Sequence, residues 1–147
     1  TSPYFVPDGG LLTALQRASL RGVDVRILIP ERHDHLTVWL AAFTYQRQTL
    51  PFGIKIYKYT KGFLHQKTLL VDDSMAGVGT ANLDNRSFQL NFEITALSTN
   101  IKFISQMAAM LEKDFASARL IAHNELDDRS FGFRIAARIA RLFSPIL

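Results

Sequence analysis

The feature that most constrains the fold is the alternation of strand-like and helix-like stretches along the whole chain. A β-branched run such as Val23–Ile29, which ends at Pro30, is typical of a buried strand. Apolar residues at helical spacing between Asp8 and Gly22 predict a capped amphipathic helix. This alternation predicts an α/β fold, with a layered mixed β-sheet flanked by helices on both faces. Further helices are predicted over 36–48, 101–120 and 129–142, and further strands over 53–59, 66–72, 75–78 and 92–98.

Length and composition limit the number of domains and the class of protein. Its 147 residues fit one domain, and 48% hydrophobic with 20% charged residues is ordinary for a globular protein. The absence of cysteine excludes disulfides and thiolate nucleophiles. A net charge of +4 suits anionic partners such as phospholipid surfaces, although the charge is mild. Because the chain opens on a strand-like segment and not on Met, we expect a piece of a longer protein.

The candidate chemistry is concentrated in one motif. His65, Lys67 and Asp72 form the pattern H-x-K-x-x-x-x-D within a predicted strand. A neutral imidazole can attack phosphorus near neutral pH, and a lysine two residues away supplies a positive charge for a phosphate. Since side chains alternate along a strand, His65 and Lys67 are predicted to share one face. Asp72 falls on the other face, so we expect it to support the strand end and the following turn.

Three polar residues follow the motif at positions where they could assist it. Thr80 and Asn82 come just after the next strand, and their hydroxyl and amide groups can hydrogen-bond phosphate oxygens. Glu93 begins another strand, and its carboxylate could accept the second ring N–H of His65 and fix its tautomer. The sequence therefore predicts Lys67, Thr80 and Asn82 as phosphate-binding residues and Glu93 as the residue that orients the histidine.

These parts suggest a mechanism that requires neither a metal nor a cofactor. Lys67, Thr80 and Asn82 would stabilise charge on a phosphodiester while one histidine attacks phosphorus. A second histidine would protonate the leaving alcohol, and water or another alcohol would open the phosphohistidine intermediate. His33, His35 and His123 lack a lysine two residues on, so none of them is a second copy of the motif.

The motif, with the segments 79–87 and 91–93 that follow it, resembles the HKD motif of the phospholipase D superfamily. Thr80 stands where that superfamily usually has serine, a change that keeps the hydroxyl. Three further stretches are similar to the C-terminal half of the bacterial cardiolipin synthases. They are residues 3–8, 21–30 and 139–145.

The resemblance implies more than the residues themselves. It implies a phospholipase D-like lobe over residues 1–127, one of two pseudo-symmetric halves with the active site between them. The partner would be an N-terminal HKD half or a second copy of the chain. The implied reaction joins two phosphatidylglycerol molecules into cardiolipin and releases glycerol. The resemblance also implies anchoring in the bacterial inner (cytoplasmic) membrane through segments outside this chain.

Two other functions remain open at this stage. The same chemistry would serve a single-motif phosphodiesterase or nuclease that works as a homodimer. Nucleic acid is the less favoured partner, because no dense basic patch with interleaved aromatic residues lies near the motif. A non-enzymatic phospholipid-binding module could use Lys67 and the terminal arginines, but the intact motif argues against it.

Residues 128–147 are predicted as a basic amphipathic helix. Its apolar stripe either packs on the domain or meets a membrane surface, since basic amphipathic helices lie in lipid interfaces. The stripe consists of Phe131, Ile135, Ile139 and Leu142, and the arginines of the helix are Arg134, Arg138 and Arg141.

Four further polar residues have two interpretations each. His33 and His35 are expected in a solvated loop, and the alternative is that they lie at the active-site entrance. Arg86 and Ser87 could contact phosphate or stabilise a turn.

Overall fold

The structure is a computed structural model that describes all residues from Thr1 to Leu147. It contains eight strands, five α-helices and two short 3₁₀ helices at Leu50–Phe52 and Ser144–Ile146. The strands are β1 Phe5–Val6, β2 Arg26–Pro30, β3 Lys55–Tyr59, β4 Thr68–Val71, β5 Met75–Gly79, β6 Leu83–Asp84, β7 Thr95–Ser98 and β8 Ala118–Leu120. The α-helices are α1 Gly9–Leu20, α2 Leu36–Thr49, α3 Asn85–Gln89, α4 Ile101–Ala116 and α5 Phe131–Leu142.

The strands form a mixed arrangement of three short sheets, in the orders β1-β6, β2-β3-β8 and β4-β5-β7. The β1–β6 and β2–β3 pairs are parallel, and the other pairs are antiparallel. The first residues of the chain bridge two sheets. Ser2 N donates to the carbonyl of Leu28 at 3.0 Å, and Thr68 N donates to the carbonyl of Thr1 at 3.1 Å.

Helices cover both faces, which confirms the predicted layered α/β fold. On one face, α1 and α2 pack over the aliphatic residues of β1, β2 and β3, and this contact forms the main core. On the other face, Ile104, Met107 and Leu111 of α4 pack against Ala76 and form a second core. These residues lie on the stripe that the sequence predicted for this helix.

The end of α1 explains why β2 is shorter than the predicted strand. Gly22 adopts a positive φ of 93°, and its N–H donates to the carbonyl of Ser19. Val23 N donates to the carbonyl of Ala18, so Val23 belongs to the helix C-cap and not to a strand. At the other end, the Asp8 side chain accepts from Leu11 N at 2.7 Å and caps the helix as predicted.

The long helix predicted over 101–120 is partly wrong. α4 ends at Ala116, and Ala118–Leu120 form β8, antiparallel to β3. The strand over 92–98 is likewise shorter, because β7 begins at Thr95. Pairing with the exposed edge of β3 is a tertiary effect that local sequence patterns do not encode.

An ion cluster fixes the segment between β8 and α5. Lys58 is buried on β3, and its ammonium group forms an ion pair with Glu125. Arg119 bridges Glu125 and Glu31 at 3.1 and 2.8 Å. Burial lowers the pKa of Lys58, and its pair with Glu125 partly offsets this effect.

Candidate active site

His65 lies in the segment that joins β3 to β4. Gly62 adopts a positive φ of 148° there, and the buried side chain of Leu64 anchors the segment to the domain. The exposed imidazole lies between two aromatic rings. It stacks on Phe63 with the centroids 5.5 Å apart, and Tyr4 meets it edge-on at 6.5 Å. His65 is therefore held by rings on two sides and open to solvent.

Lys67 lies beside His65 and its ammonium group donates to the His65 carbonyl at 3.1 Å. The regular strand begins only at Thr68, although Gly79 N donates to the Lys67 carbonyl and extends the ladder by one residue. Gln66 points to the opposite face, where its amide donates to Asp114 of α4 at 2.6 Å. Burial lowers the pKa of Lys67, while the carboxylates of Glu93 and Asp34 act in the other direction.

Thr80 is tied to the segment that leads into β7. Its N–H donates to the carbonyl of Ile94 at 2.9 Å, and its hydroxyl accepts from Ile94 N at 3.0 Å. The hydroxyl that was predicted to bind phosphate therefore already has a partner that fixes its position.

Asn82 leads from this segment into the short strand β6. Its N–H donates to the hydroxyl of Ser87 at 3.0 Å, and Ser87 N donates in turn to Asp84, the N-cap of α3, at 2.6 Å. The side-chain carbonyl oxygen of Asn82 is buried and has no hydrogen-bond partner. Ser87 itself is buried and stabilises the turn, which agrees with the structural alternative for this residue.

Glu93 is half-buried and does not hydrogen-bond to His65 in this structure. Its carboxylate accepts from Asn91 Nδ2 at 3.1 Å. Hydrogen bonds from Thr80 and Asn91 hold the pKa of Glu93 below its usual range, and Lys67 adds to this effect. The structure thus links Glu93 to Thr80 and Lys67, and the orienting role toward a histidine stays a prediction.

Asp72 is not part of this cluster. It adopts a positive φ of 48° in the turn between β4 and β5, where Ser74 N donates to the Val71 carbonyl at 3.1 Å. Asp tolerates this left-handed conformation better than most residues. At about 3.3 Å per residue along β4, the turn lies far from Lys67. Its position agrees with the turn-supporting role that the sequence predicted.

Tyr4, a neighbour of His65, and the residues that hold Tyr4 were missed by the sequence reasoning. Tyr4 donates its hydroxyl to Asp34 at 2.8 Å, and its ring also meets His35 edge-on with centroids 6.0 Å apart. Burial and the hydrogen bond to Asp34 raise the pKa of Tyr4. These residues come from the far end of the chain and from the β2–α2 loop, so no local spacing connects them to the motif. His33 stacks instead on Trp39 at 4.4 Å.

A cavity of about 330 Å³ opens beside this cluster. Its lining includes Tyr4, His35, Asn82, Arg86 and Ile146. His35 therefore lies at the wall of a cavity next to the candidate site, as the alternative for this loop proposed. No three His, Cys, Asp or Glu side chains converge closely enough to hold a metal ion.

The sheet face that carries Lys67 is open along its length. Leu69, Val71 and Leu97 project from it and are exposed, and we call these three residues the open sheet face. Leu69 pairs with Gly77, which pairs with Leu97. A Cβ at Gly77 would lie 2.8 Å from Leu97 Cδ2, so the glycine leaves space for the Leu97 side chain against the sheet. An apolar surface therefore adjoins the candidate site directly.

The family described as cardiolipin synthase, phospholipase D-like domain, matches residues 1–115 of this chain. The chain belongs to this family. It is 49% identical over 147 residues to cardiolipin synthase A of Pseudomonas putida, which covers 100% of this chain and 31% of that protein. It is 50% identical over 149 residues to cardiolipin synthase A of Pseudomonas aeruginosa, covering 100% of this chain and 30% of that protein. This chain therefore spans about a third of the length of these relatives.

Solved structures show the same fold at low sequence identity. Phosphatidylserine synthase of Haemophilus influenzae matches 99% of this chain and 40% of its own, with a TM-score of 0.75 and 17% identity. Nuc of Salmonella typhimurium, described as a phospholipase D family member, matches 82% of this chain and 78% of its own, with a TM-score of 0.70 and 21% identity. These matches establish the phospholipase D fold.

Proposed function

We propose that this chain is one catalytic lobe of a phosphatidyltransferase that makes cardiolipin from two phosphatidylglycerol molecules. The observation that carries the proposal is the solvent-open His65 beside Lys67, on a sheet face that continues into exposed leucine and valine side chains. The identity of about half to cardiolipin synthase A proteins over the whole chain supports this choice of reaction.

The proposed reaction proceeds in two balanced steps. One histidine of a pair attacks the phosphorus of the first phosphatidylglycerol, and the bond from phosphorus to the glycerol oxygen breaks. The other histidine gives its proton to that oxygen, and glycerol leaves. In the second step, a hydroxyl of another phosphatidylglycerol attacks phosphorus, gives its proton back and displaces the histidine, which releases cardiolipin.

The residues near His65 would act mainly by stabilising the negative charge of the phosphate. Lys67 and the amide of Asn82 would hold the phosphate oxygens, and the fixed hydroxyl of Thr80 would lie beside them. Preorganised hydrogen-bond donors of this kind usually supply the largest part of catalysis. Removing one such donor typically lowers the rate by about 10²–10³-fold. Glu93 would orient a histidine of the assembled site.

The proposal requires a second histidine, which this chain does not supply beside the first. We assign it to an N-terminal HKD half or a second copy that docks on the open sheet face. Anchoring in the bacterial inner (cytoplasmic) membrane is assigned to segments outside this chain. No helix of the chain is both long and apolar enough to cross a bilayer.

A chimera tests the proposed reaction. The matching segment of Pseudomonas putida cardiolipin synthase A is replaced by this chain, and cardiolipin formation from phosphatidylglycerol vesicles is measured. We expect activity, and we expect His65→Ala to reduce it by at least about 10³-fold because no group replaces the nucleophile or the acid. His123→Ala, an exposed histidine outside the site, is the matched control and should leave activity unchanged. An active His65→Ala chimera would contradict the assignment.

One alternative function is supported by the size of the chain, because Nuc matches this chain over 78% of the length of Nuc. A single lobe could then act as a homodimeric phosphodiesterase. The isolated chain is tested by gel filtration and by incubation with plasmid DNA. A dimer whose DNA cleavage is abolished by His65→Ala would favour this alternative, and intact DNA would remove it.

A further inference from the structure

The terminal helix α5 has two apolar faces that differ in the size of their side chains. Its inner face packs on α2, where Ala137 and Ala140 are buried. Phe133 lies on the same side and meets Trp39 and Phe43 edge-on at 5.5 and 5.1 Å. Small residues on this face allow the helix to lie close against the domain. The attachment of α5 to the lobe is therefore centred on Ala137, Ala140 and Phe133.

The outer face of α5 carries four large apolar side chains that stay substantially exposed to solvent. Phe131, Ile135, Ile139 and Leu142 are 71%, 40%, 52% and 77% exposed. At about 3.6 residues per turn, these positions form one narrow stripe on the side opposite Ala137 and Ala140. A contiguous row of this kind is unusual on a soluble surface and marks an interaction site.

The charges along this helix are of one sign. Residues 131–142 contain three arginines and no acidic residue. Arg141 is engaged by the domain, because it donates to Gln48 Oε1 at 3.0 Å and lies 4.7 Å from the Tyr45 ring. Arg134 and Arg138 flank the exposed stripe and have no carboxylate partner. The outer face thus combines a row of large apolar groups with two available guanidinium groups.

The stripe leads toward the cavity beside the candidate site. After α5 ends, Phe143 and Ile146 continue the exposed apolar surface, and Ile146 lines the cavity that Tyr4 and Asn82 also line. A surface in contact with α5 would therefore lie next to the opening of this cavity.

We propose that α5 lies along the surface of an anionic phospholipid bilayer. Its exposed stripe inserts among the headgroups, and Arg134 and Arg138 contact lipid phosphates. Large apolar residues on one side, flanking arginines and the lack of acidic residues are the features of helices that lie in this interface. The row of like charges argues against a second copy of the same helix as the occupant, because the arginines would face one another. The inference does not depend on the reaction proposed above.

Vesicle co-sedimentation of the full 147-residue chain tests the proposal. The vesicles contain phosphatidylcholine alone or with phosphatidylserine, an anionic lipid other than the proposed substrate. We expect binding to the anionic vesicles that weakens as salt is added, since salt screens the arginine–phosphate attraction. His65→Ala should bind equally well, so a failure of the catalytic assignment and a failure of this proposal are distinguishable.

Two variants and their controls identify the surface. Replacing Arg134 and Arg138 by Gln should weaken binding by about fivefold for each arginine. Replacing Ile135, Ile139 and Leu142 by Gln should weaken it by more than about tenfold. The matched controls lie on α1 and its C-cap, where Arg17, Leu20 and the C-cap residue Arg21 are also exposed. Their replacement by Gln should leave vesicle binding unchanged.

Circular dichroism verifies that each variant is folded. Binding that is equal on neutral and anionic vesicles, or that survives the triple change on α5, would overturn the proposal. A second result would also overturn it: the unmodified chain does not bind vesicles but forms a dimer in sedimentation velocity, and the triple change converts that dimer to a monomer. In that case α5 would be an interface between protein copies.

Discussion

Gly79 ends β5 directly before Thr80, and its missing side chain allows the segment before β7 to approach. A Cβ at this position would lie 2.5 Å from the carbonyl oxygen of Ile94 and 2.8 Å from Thr95 Cα. Both of these atoms belong to the backbone, so a rotamer change cannot relieve the contact. The same segment holds the Thr80 hydroxyl through Ile94 N. Space at Gly79 therefore determines the position of a predicted phosphate-binding residue.

We expect Gly79→Ala to destabilise the chain by about 1–3 kcal/mol, the usual cost of overpacking. Urea denaturation measures this change. Gly132→Ala is the matched control, because a Cβ there meets nothing within 4 Å and the position is helical. That control should gain up to about 1 kcal/mol from improved helix propensity. Equal stability of the Gly79→Ala chain and the unmodified chain would show that β7 moves aside freely.

The proximity of some candidate-site residues follows from local spacing in the sequence, while their catalytic roles stay predictions. His65 and Lys67 lie together because they are two positions apart, and Thr80 and Glu93 meet across neighbouring segments of the next strands. Tyr4 reaches His65 only through the packing of the N-terminal segment between two sheets. No periodicity in the chain records that contact, so only the structure reveals it.

Among the secondary-structure elements, helices with a strong apolar periodicity were predicted well. α4 buries the predicted Ile104, Met107 and Leu111, and α5 differs from its predicted start by only two residues at Phe131. The short strands were predicted less well. β8 has three residues and exists because β3 offers it an edge, which is a long-range effect.

The ion cluster that joins β3 to the segment before α5 should dominate the stability of this part of the fold. Glu125→Ala would leave the buried ammonium of Lys58 without its partner, at a cost of about 3–5 kcal/mol in unfolding free energy. Lys58→Met should cost less, because a methionine can pack on the Phe43 ring that the ammonium now covers at 4.4 Å. Lys55→Ala, which removes an exposed pair with Asp24, should change stability by less than about 1 kcal/mol.

The same cluster predicts a response to acid. Burial opposes ionisation of Glu125, but hydrogen bonds from Arg119 and Lys58 outweigh it, so the pKa of Glu125 lies below its usual 4.5. A carboxylate with a lowered pKa stabilises the fold above its ordinary pKa, and this contribution is lost as the pH falls through the lowered value. Thermal unfolding between neutral pH and the acid range measures the loss. Glu125→Gln should show a smaller decrease over that range, and an identical decrease would contradict the assignment.

For the whole molecule, the open sheet face and the outer stripe of α5 are two of the exposed apolar surfaces of the lobe. The sheet face adjoins Lys67, and the stripe leads to the neighbouring cavity through Ile146. Relatives of about three times this length provide chain that could cover the sheet face. We therefore propose different occupants for the two surfaces: a second HKD half or a second copy of the chain on the sheet, and a bilayer on the helix.

This division of surfaces predicts that charge on the open sheet face impairs assembly without impairing the fold. Leu97→Glu in the cardiolipin synthase chimera should reduce cardiolipin formation by at least about tenfold, because docking would bury an unpaired carboxylate. The isolated Leu97→Glu chain should unfold at the same temperature as the unmodified chain, since Leu97 is 59% exposed there. Leu20→Glu on α1, at a site 69% exposed, is the control and should retain activity. Full activity of the Leu97→Glu chimera would show that the second half docks elsewhere, and the sheet face would then lose its assigned partner.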